Sequence, residues 1–194
     1  MGQETSKAVA RRLHDSRFIA RYFRGFGIDI GSGNDPLLHY ATLFPGIMGI
    51  RNWDKEDGDA MVMAGVDDNT FDFVHSSHCL EHLQDPWRAL RRWVSICKPG
   101  GHIIITVPDW QLYEHGKWPS PHNEDHKHRF CVSPSECPDD RPVDLAGLIA
   151  DLISVDCLKI ELLDQGYLYG APDTFDQSCL TMCEPAIEFI LRKR

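Results

Sequence analysis

The sequence predicts a doubly wound α/β domain, and three observations predict it. Short apolar runs of strand length recur along the chain, each bounded by polar, Gly or Pro residues. Amphipathic segments with helical spacing fall between them. At 194 residues with 42% hydrophobic content, the chain fills one compact domain, residues 1–194, without room for a second of ordinary size. Strands alternating with helices imply parallel pairing through crossover helices.

From Lys7 to Phe23 the residues are good helix formers, with Val9, Leu13, Ala20 and Phe23 at loosely helical spacing. Six basic residues lie between Lys7 and Arg24 and read as a solvated helix face. Phe26 to Ile30 is a β-type run ending in Gly31-Ser32-Gly33-Asn34-Asp35-Pro36, a strand entering a tight turn. Further strands are expected over Ile47 to Ile50, Phe71 to His75, His102 to Val107, Leu158 to Leu163 and Ala186 to Leu191. Pro86 to Cys97 carries Trp87, Leu90, Val94 and Cys97 at helical spacing, with Asp85 as N-cap and Lys98-Pro99-Gly100-Gly101 as stop signal. Leu145, Leu148, Ile149 and Leu152 mark another amphipathic helix. The stretch from Pro108 to Arg141 lacks clear periodicity, yet its Trp110, Tyr113 and Trp118 argue for order, and a segment that long in a compact domain points to function.

Composition narrows the function classes. With 20 Lys and Arg against 29 Asp and Glu the net charge is -9, which repels a phosphate backbone, so nucleic acid is not expected as a partner. Seven cysteines are an odd number and none forms a Cys-x-x-Cys pair, which fits a reduced, cytoplasmic chain. No apolar stretch approaches the roughly 18 residues needed to cross a bilayer, so no membrane association is expected.

In an open parallel sheet, ligands sit beyond the carboxyl ends of the central strands, and a Gly-rich turn there admits close backbone approach. Asp29-Ile30-Gly31-Ser32-Gly33 is such a turn. Gly-x-Gly-x-x-Gly would need glycine at Pro36, and no P-loop lysine follows, so a dinucleotide is poorly supported. After the second strand stands Asp54, whose carboxylate could accept from both hydroxyls of a ribose, with Asp57 as its rival; Gly58-Asp59-Ala60 suits an amino-purine edge. Thr70 to His78, Leu80-Glu81-His82 and Lys98-Pro99-Gly100-Gly101 complete an ordered set.

This set resembles class I S-adenosylmethionine-dependent methyltransferases of the small-molecule type. The resemblance implies a single-domain Rossmann-like sheet of about seven strands whose last strand, Ala186 to Leu191, is antiparallel. It places S-adenosyl-L-methionine against Asp29, Gly31, Ser32, Gly33, Asp54, Asp59, Ala60, Ser76 and His82. The family commonly has a third glycine where Asp35 stands. The segment with Val107-Pro108-Asp109, Leu112-Tyr113-Glu114 and Trp118 to Lys127 is similar to the region after the fifth strand in methyltransferases of carbohydrate pathways. That implies a small hydroxyl-bearing acceptor, such as a sugar or surface-glycan precursor, covered by residues 108–141.

Methyl transfer from a sulfonium requires alignment, and a hydroxyl acceptor also requires removal of its proton, for which histidine is best poised. His126 is the first candidate and His122 the second. Histidines 115, 122, 126 and 128, with Cys131, Cys137, Glu124 and Asp125, match no recognised zinc spacing, and no metal is expected. Trp87, Trp93 and Cys97 read as core. The rival from another class is an inert S-adenosylmethionine-binding protein or partner subunit, and the expected assembly is a monomer or homodimer.

Overall fold

The structure is a computed structural model, and it describes residues 4–133 and 142–194. Among these residues the strands are β1 (Gly25–Ile30), β2 (Ile47–Trp53), β3 (Phe71–Ser77), β4 (Cys97–Pro108), β5 (Phe130–Cys131), β6 (Val143–Asp144), β7 (Val155–Leu163) and β8 (Ala186–Lys193). The α-helices are α1 (Glu4–His14), α2 (Pro86–Ile96) and α3 (Leu145–Ala150). Six strands make one sheet in the order β2-β1-β3-β4-β8-β7, and β5 pairs with β6 separately. Within the main sheet β8 runs antiparallel to both of its neighbours, while β1, β2, β3 and β4 are parallel.

The α/β class and the antiparallel last strand are as the sequence leads one to expect. The main sheet holds six strands, in keeping with the seven or so expected, and between β2 and β3 the chain forms turns. There the backbone reverses repeatedly, with Gly58, Met63, Gly65 and Asn69 all at positive φ. Met63 and Val66 face inward from these turns and join the core.

Both faces of the sheet are covered. Ile28, Ile30, Val74, Ile103 and Ile105 pack on one side with Leu90, Trp93 and Leu148 of α2 and α3. Phe73, Ile104 and Ile190 pack on the other with Phe18, Tyr22, Phe23 and Phe44. Burying each such aromatic side chain is worth about 1.5–3 kcal/mol. Strands buried on both faces explain the near-continuous apolar runs of β3 and β4. The close packing shows at Gly27, where a Cβ would stand 2.1 Å from the Phe73 ring.

Local chemistry accounts for the helix boundaries. Asp85 accepts from the Arg88 N–H at 2.9 Å and Pro86 opens α2, the expected cap. The helix stops at Ile96 and β4 begins at once, so Lys98 to Gly101 open the strand instead of forming a separate loop. The single helix expected from Lys7 to Phe23 is broken: α1 ends at His14 and a π-turn spans Phe18–Tyr22. Asp15 accepts from the Arg17 N–H at 3.0 Å and from its guanidinium, a local bond that competes with the helical ladder.

The basic residues are solvated at Arg17, Arg21 and Arg24, but the reading fails at Arg12. Arg12 is fully buried beneath the sheet. Its Nε donates to Glu188 Oε2 at 3.0 Å, its Nη1 lies 2.9 Å from His75 Nε2, and its Nη2 donates to Thr106 Oγ1 at 3.3 Å. A guanidinium only donates, so His75 accepts at Nε2 and carries its proton on Nδ1, 2.6 Å from Asp29 Oδ1. Asp29 Oδ2 in turn accepts from the Leu37 N–H at 2.7 Å. Arg11 reaches Glu184 and Glu188 alongside. The charges needed to neutralise the helix come from β8 and the residues just before it, far along the chain, which no helical periodicity reveals.

Cys79, Cys97, Cys157, Cys179 and Cys183 are free, whereas Cys131 is disulfide-bonded. This departs from a wholly reduced chain: an odd count says nothing of which cysteines the fold brings together. Cys137 lies outside the described residues. Among the described residues no helix is long and apolar enough to cross a membrane.

Candidate active site

The strand order reverses between β1 and β3, and a cavity of about 750 Å³ opens beyond the carboxyl ends of these strands and β2. Gly31 and Gly33 both take left-handed φ, +73° and +51°. A Cβ on Gly31 would lie 2.5 Å from Cys79 Cβ, while on Gly33 it would meet only the Gly31 carbonyl at 3.9 Å, so the Gly33 face is open to the cavity. Ser32 lines it too.

Asp54 is the first residue past β2. Its Oδ2 accepts from the Gly33 N–H at 2.9 Å and its Oδ1 from the Lys55 N–H at 2.8 Å. Asp57 accepts from the Asp54 N–H at 2.9 Å, a reciprocal cap that spends the rival carboxylate on backbone, and Asp54 alone of the two lines the cavity. Asp59 and Ala60 also line it. Their loop is pinned by two indoles, Trp53 donating to the Gly58 carbonyl at 3.1 Å and Trp93 to the Ala60 carbonyl at 2.9 Å.

Asp35, standing where a third glycine is common, accepts from the Ser6 N–H at 2.8 Å and the Tyr40 hydroxyl at 2.6 Å. It thereby ties α1 to the turn and brings Glu4 and Thr5 to the cavity wall, a contribution that a polar N-terminal stretch gave no reason to expect.

Two expected contacts are not at the cavity. Asp29 serves the Arg12–His75 chain under the sheet, and Ser76 is fully buried with its hydroxyl on the Ile30 carbonyl at 3.0 Å. Both sit inside their strands, and the cavity begins one residue later on β3, at Ser77 and His78. His78 takes φ +52° as the chain turns away.

Glu81 follows, fully buried, with neither carboxylate oxygen meeting hydrogen-bond geometry among the described residues. His78 Nδ1 lies 3.5 Å and His82 Nε2 3.9 Å from its Oε1. Burial pushes the Glu81 carboxyl up, but the neighbouring imidazoles outweigh it and hold the group below the usual range. Burial likewise opposes charge on His78, yet Glu81 and Glu4 raise it.

The segment after β4 supplies the far wall through Tyr113, Asn123, Asp125, His126 and Lys127. It is docked by the Lys127 and His128 N–H groups, which both donate to the Glu81 carbonyl, and by Arg129 between the Trp110 and Trp118 rings. Its residues 134–141 lie outside the described residues. His126 Nδ1 is 2.7 Å from Glu114 Oε1, and both side chains are buried. Glu114 sets the ring's orientation and leaves Nε2 free. Sequence reading missed Glu114 as a partner, because twelve residues of irregular chain carry no periodicity that pairs it with His126. His82 lines the cavity with its ring 5.0 Å from that of His126, and its Nδ1 lies 3.1 Å from Asp125 Oδ2. His122 stands apart, against the Tyr113 and His115 rings, and does not line the cavity.

The donor set fits an adenosyl amino acid: an open glycine face, a carboxylate at the end of the second strand, and an apolar-walled loop beside it. Residues 12–136, well over half of the chain, match the family described as Methyltransferase domain. A stretch of 49 residues is 39% identical to phosphoethanolamine N-methyltransferase 2 of Caenorhabditis elegans, covering 25% of this chain and only 11% of that protein. Among solved structures, a SAM dependent methyltransferase from Archaeoglobus fulgidus superposes with a TM-score of 0.63 at 21% identity, over 99% of this chain and 94% of that one. Phosphoethanolamine N-methyltransferase 2 of Haemonchus contortus, in complex with S-adenosyl-L-methionine, superposes with a TM-score of 0.59 at 18% identity, over 95% of this chain and 52% of that one. The chain belongs to the methyltransferase-domain family.

Proposed function

We propose that the cavity transfers a methyl group to a small hydroxyl-bearing acceptor, such as a sugar or surface-glycan precursor, seated between the Gly31–Asp35 turn and the His126–Glu114 pair. The observation that carries this reading is the 2.7 Å contact of His126 Nδ1 with Glu114, an oriented base facing the cofactor turn across one cavity. Bound S-adenosyl-L-methionine supplies an already activated methyl group. The chain has the remaining tasks. Gly33 gives the amino-acid moiety room, Asp54 receives the ribose hydroxyls on the lone pairs its two N–H donors leave free, and the Asp59-Ala60 loop receives the adenine. His126 takes the acceptor's proton at Nε2 while Glu114 stabilises the resulting imidazolium, a contribution of about 10²- to 10⁴-fold in rate.

An amine acceptor is the second reading, favoured by the stretch shared with an N-methyltransferase. It uses the same cavity and the same base. An inert cofactor-binding protein has no need of a carboxylate-oriented histidine, which counts against that alternative.

Calorimetric titration tests the cofactor site. S-adenosylhomocysteine should bind with 1:1 stoichiometry, Asp54→Ala should weaken it at least tenfold, and Gly31→Val, driven into Cys79, should abolish it; tighter binding of NAD would overturn the assignment. Turnover against hydroxyl and amine acceptors, with product analysis, decides the target atom. His126→Ala that kept full turnover would remove the proposed base.

A further inference from the structure

We propose that Glu81, His82 and His126 form a binding site for one divalent transition-metal cation at the acceptor side of the cavity. The inference goes beyond methyl transfer and does not depend on it.

One ligand atom from each of the three side chains lies within 4.8 Å of the others. The fold assembles them from two places, the turn after β3 and the segment after β4, which is why no zinc spacing was legible in the sequence. Four-coordinate ligands about 2.0–2.2 Å from an ion stand roughly 3.4 Å apart, so a closure of at most about 1.4 Å completes the set. His82, partly open to solvent, can supply it.

The second observation is the state of Glu81. Its carboxylate is fully buried, and the groups facing Oε1 are imidazoles at or beyond the limit of hydrogen-bond length, His78 Nδ1 at 3.5 Å and His82 Nε2 at 3.9 Å. A cation between this carboxylate and the imidazoles of His82 and His126 would give it a closer partner than either contact does.

The third is the outer layer. Metal-bound histidines almost always give their other ring nitrogen to a carboxylate or carbonyl. Both candidates do so here, His126 Nδ1 to Glu114 Oε1 at 2.7 Å and His82 Nδ1 to the Asp125 carbonyl and Oδ2 at 3.2 and 3.1 Å. Each ring therefore keeps Nε2 available to the cation. Two imidazoles and one carboxylate select manganese, iron, cobalt or zinc over magnesium or calcium, and leave a coordination position for water or an acceptor oxygen. A hydroxyl bound there would lose its proton to solvent near neutral pH. His126 would then be a ligand, and direct proton transfer to its Nε2 would belong to the cation-free protein.

The full chain, stripped with EDTA and exchanged into metal-free buffer, is titrated with Zn²⁺, Mn²⁺ and Mg²⁺ in the absence of any cofactor. The expected result is 1:1 binding of Zn²⁺ and Mn²⁺, with Mg²⁺ at least tenfold weaker. Glu81→Gln and His126→Ala should abolish it, and Glu114→Gln should weaken it by about 10- to 100-fold through the outer layer. Circular dichroism melting confirms that each variant is folded, and for any that is not, the visible spectrum of Co²⁺ bound to the unaltered chain reports imidazole ligation instead. No saturable binding, or binding unchanged in Glu81→Gln and His126→Ala, overturns the proposal. S-adenosylhomocysteine titrated separately reports on the methyltransferase reading, so either can fail alone.

Discussion

Arg12 holds together three parts of the molecule that are remote in sequence. Glu188, its partner, is buried, which alone would push its carboxyl up; the Arg12 and Arg11 guanidiniums outweigh this and hold it far below the usual carboxylate range. A carboxyl lowered in the folded state contributes stability that is present above its ordinary value of 4.5 and is lost as the pH falls below it. His102 acts earlier on the same limb. Burial and the charges of Arg21 and Arg192 lower it from 6.5 to about 4, so the unfolded chain takes up a proton first and stability declines from pH 6.5 downward. Urea denaturation across this range should show a falling limb that begins near pH 6.5 and steepens below about 4.5. Glu188→Gln should cost about 3–5 kcal/mol at pH 7, the penalty for leaving a buried guanidinium uncompensated. Six basic residues in one stretch read as a solvated face, and that reading fails at Arg12. A partner 176 positions away leaves no trace in local pattern.

At the scale of elements, what was legible followed local rules. α2 could be read from Asp85, Pro86 and the spacing of Leu90 and Val94, because a cap and a period are written within a few residues of each other. The break in the first helix depended on one side chain, Asp15, folding back on its own backbone. Asp35 belongs to this scale as well. Replacing it with glycine removes the acceptor for Ser6 and Tyr40, at about 1 kcal/mol for each hydrogen bond. Hydrogen exchange of the α1 amides in Asp35→Gly should quicken, and affinity for S-adenosylhomocysteine should fall severalfold as Glu4 and Thr5 leave the wall. Unchanged exchange would show that α1 is held by its apolar face alone.

At the scale of the whole molecule, the proposed cofactor side of the cavity was more legible than the proposed acceptor side. Asp54 follows directly from the end of an apolar run, whereas Asp29, one residue out of phase with Ile28 and Ile30, faces the opposite side of the sheet and the Arg12 chain. His126 could be proposed from its chemistry, but its carboxylate Glu114 and its neighbour Glu81 are brought in by irregular backbone. Glu114→Gln should therefore lower turnover while leaving S-adenosylhomocysteine affinity intact, a split that places Glu114 behind the acceptor and not the cofactor.

The antiparallel strand β8 lies between β4 and β7, yet it leaves the ribosome after both of them. At about 5–20 residues per second, Arg12 emerges roughly 9–35 seconds before the carboxylate that neutralises it. Through that interval the nascent sheet lacks an interior strand and carries a stranded positive charge beneath its centre. The chain must then complete its fold in a late step, and a translational pause upstream of Ala186 would lengthen the time in which the unfinished sheet is open to chaperones.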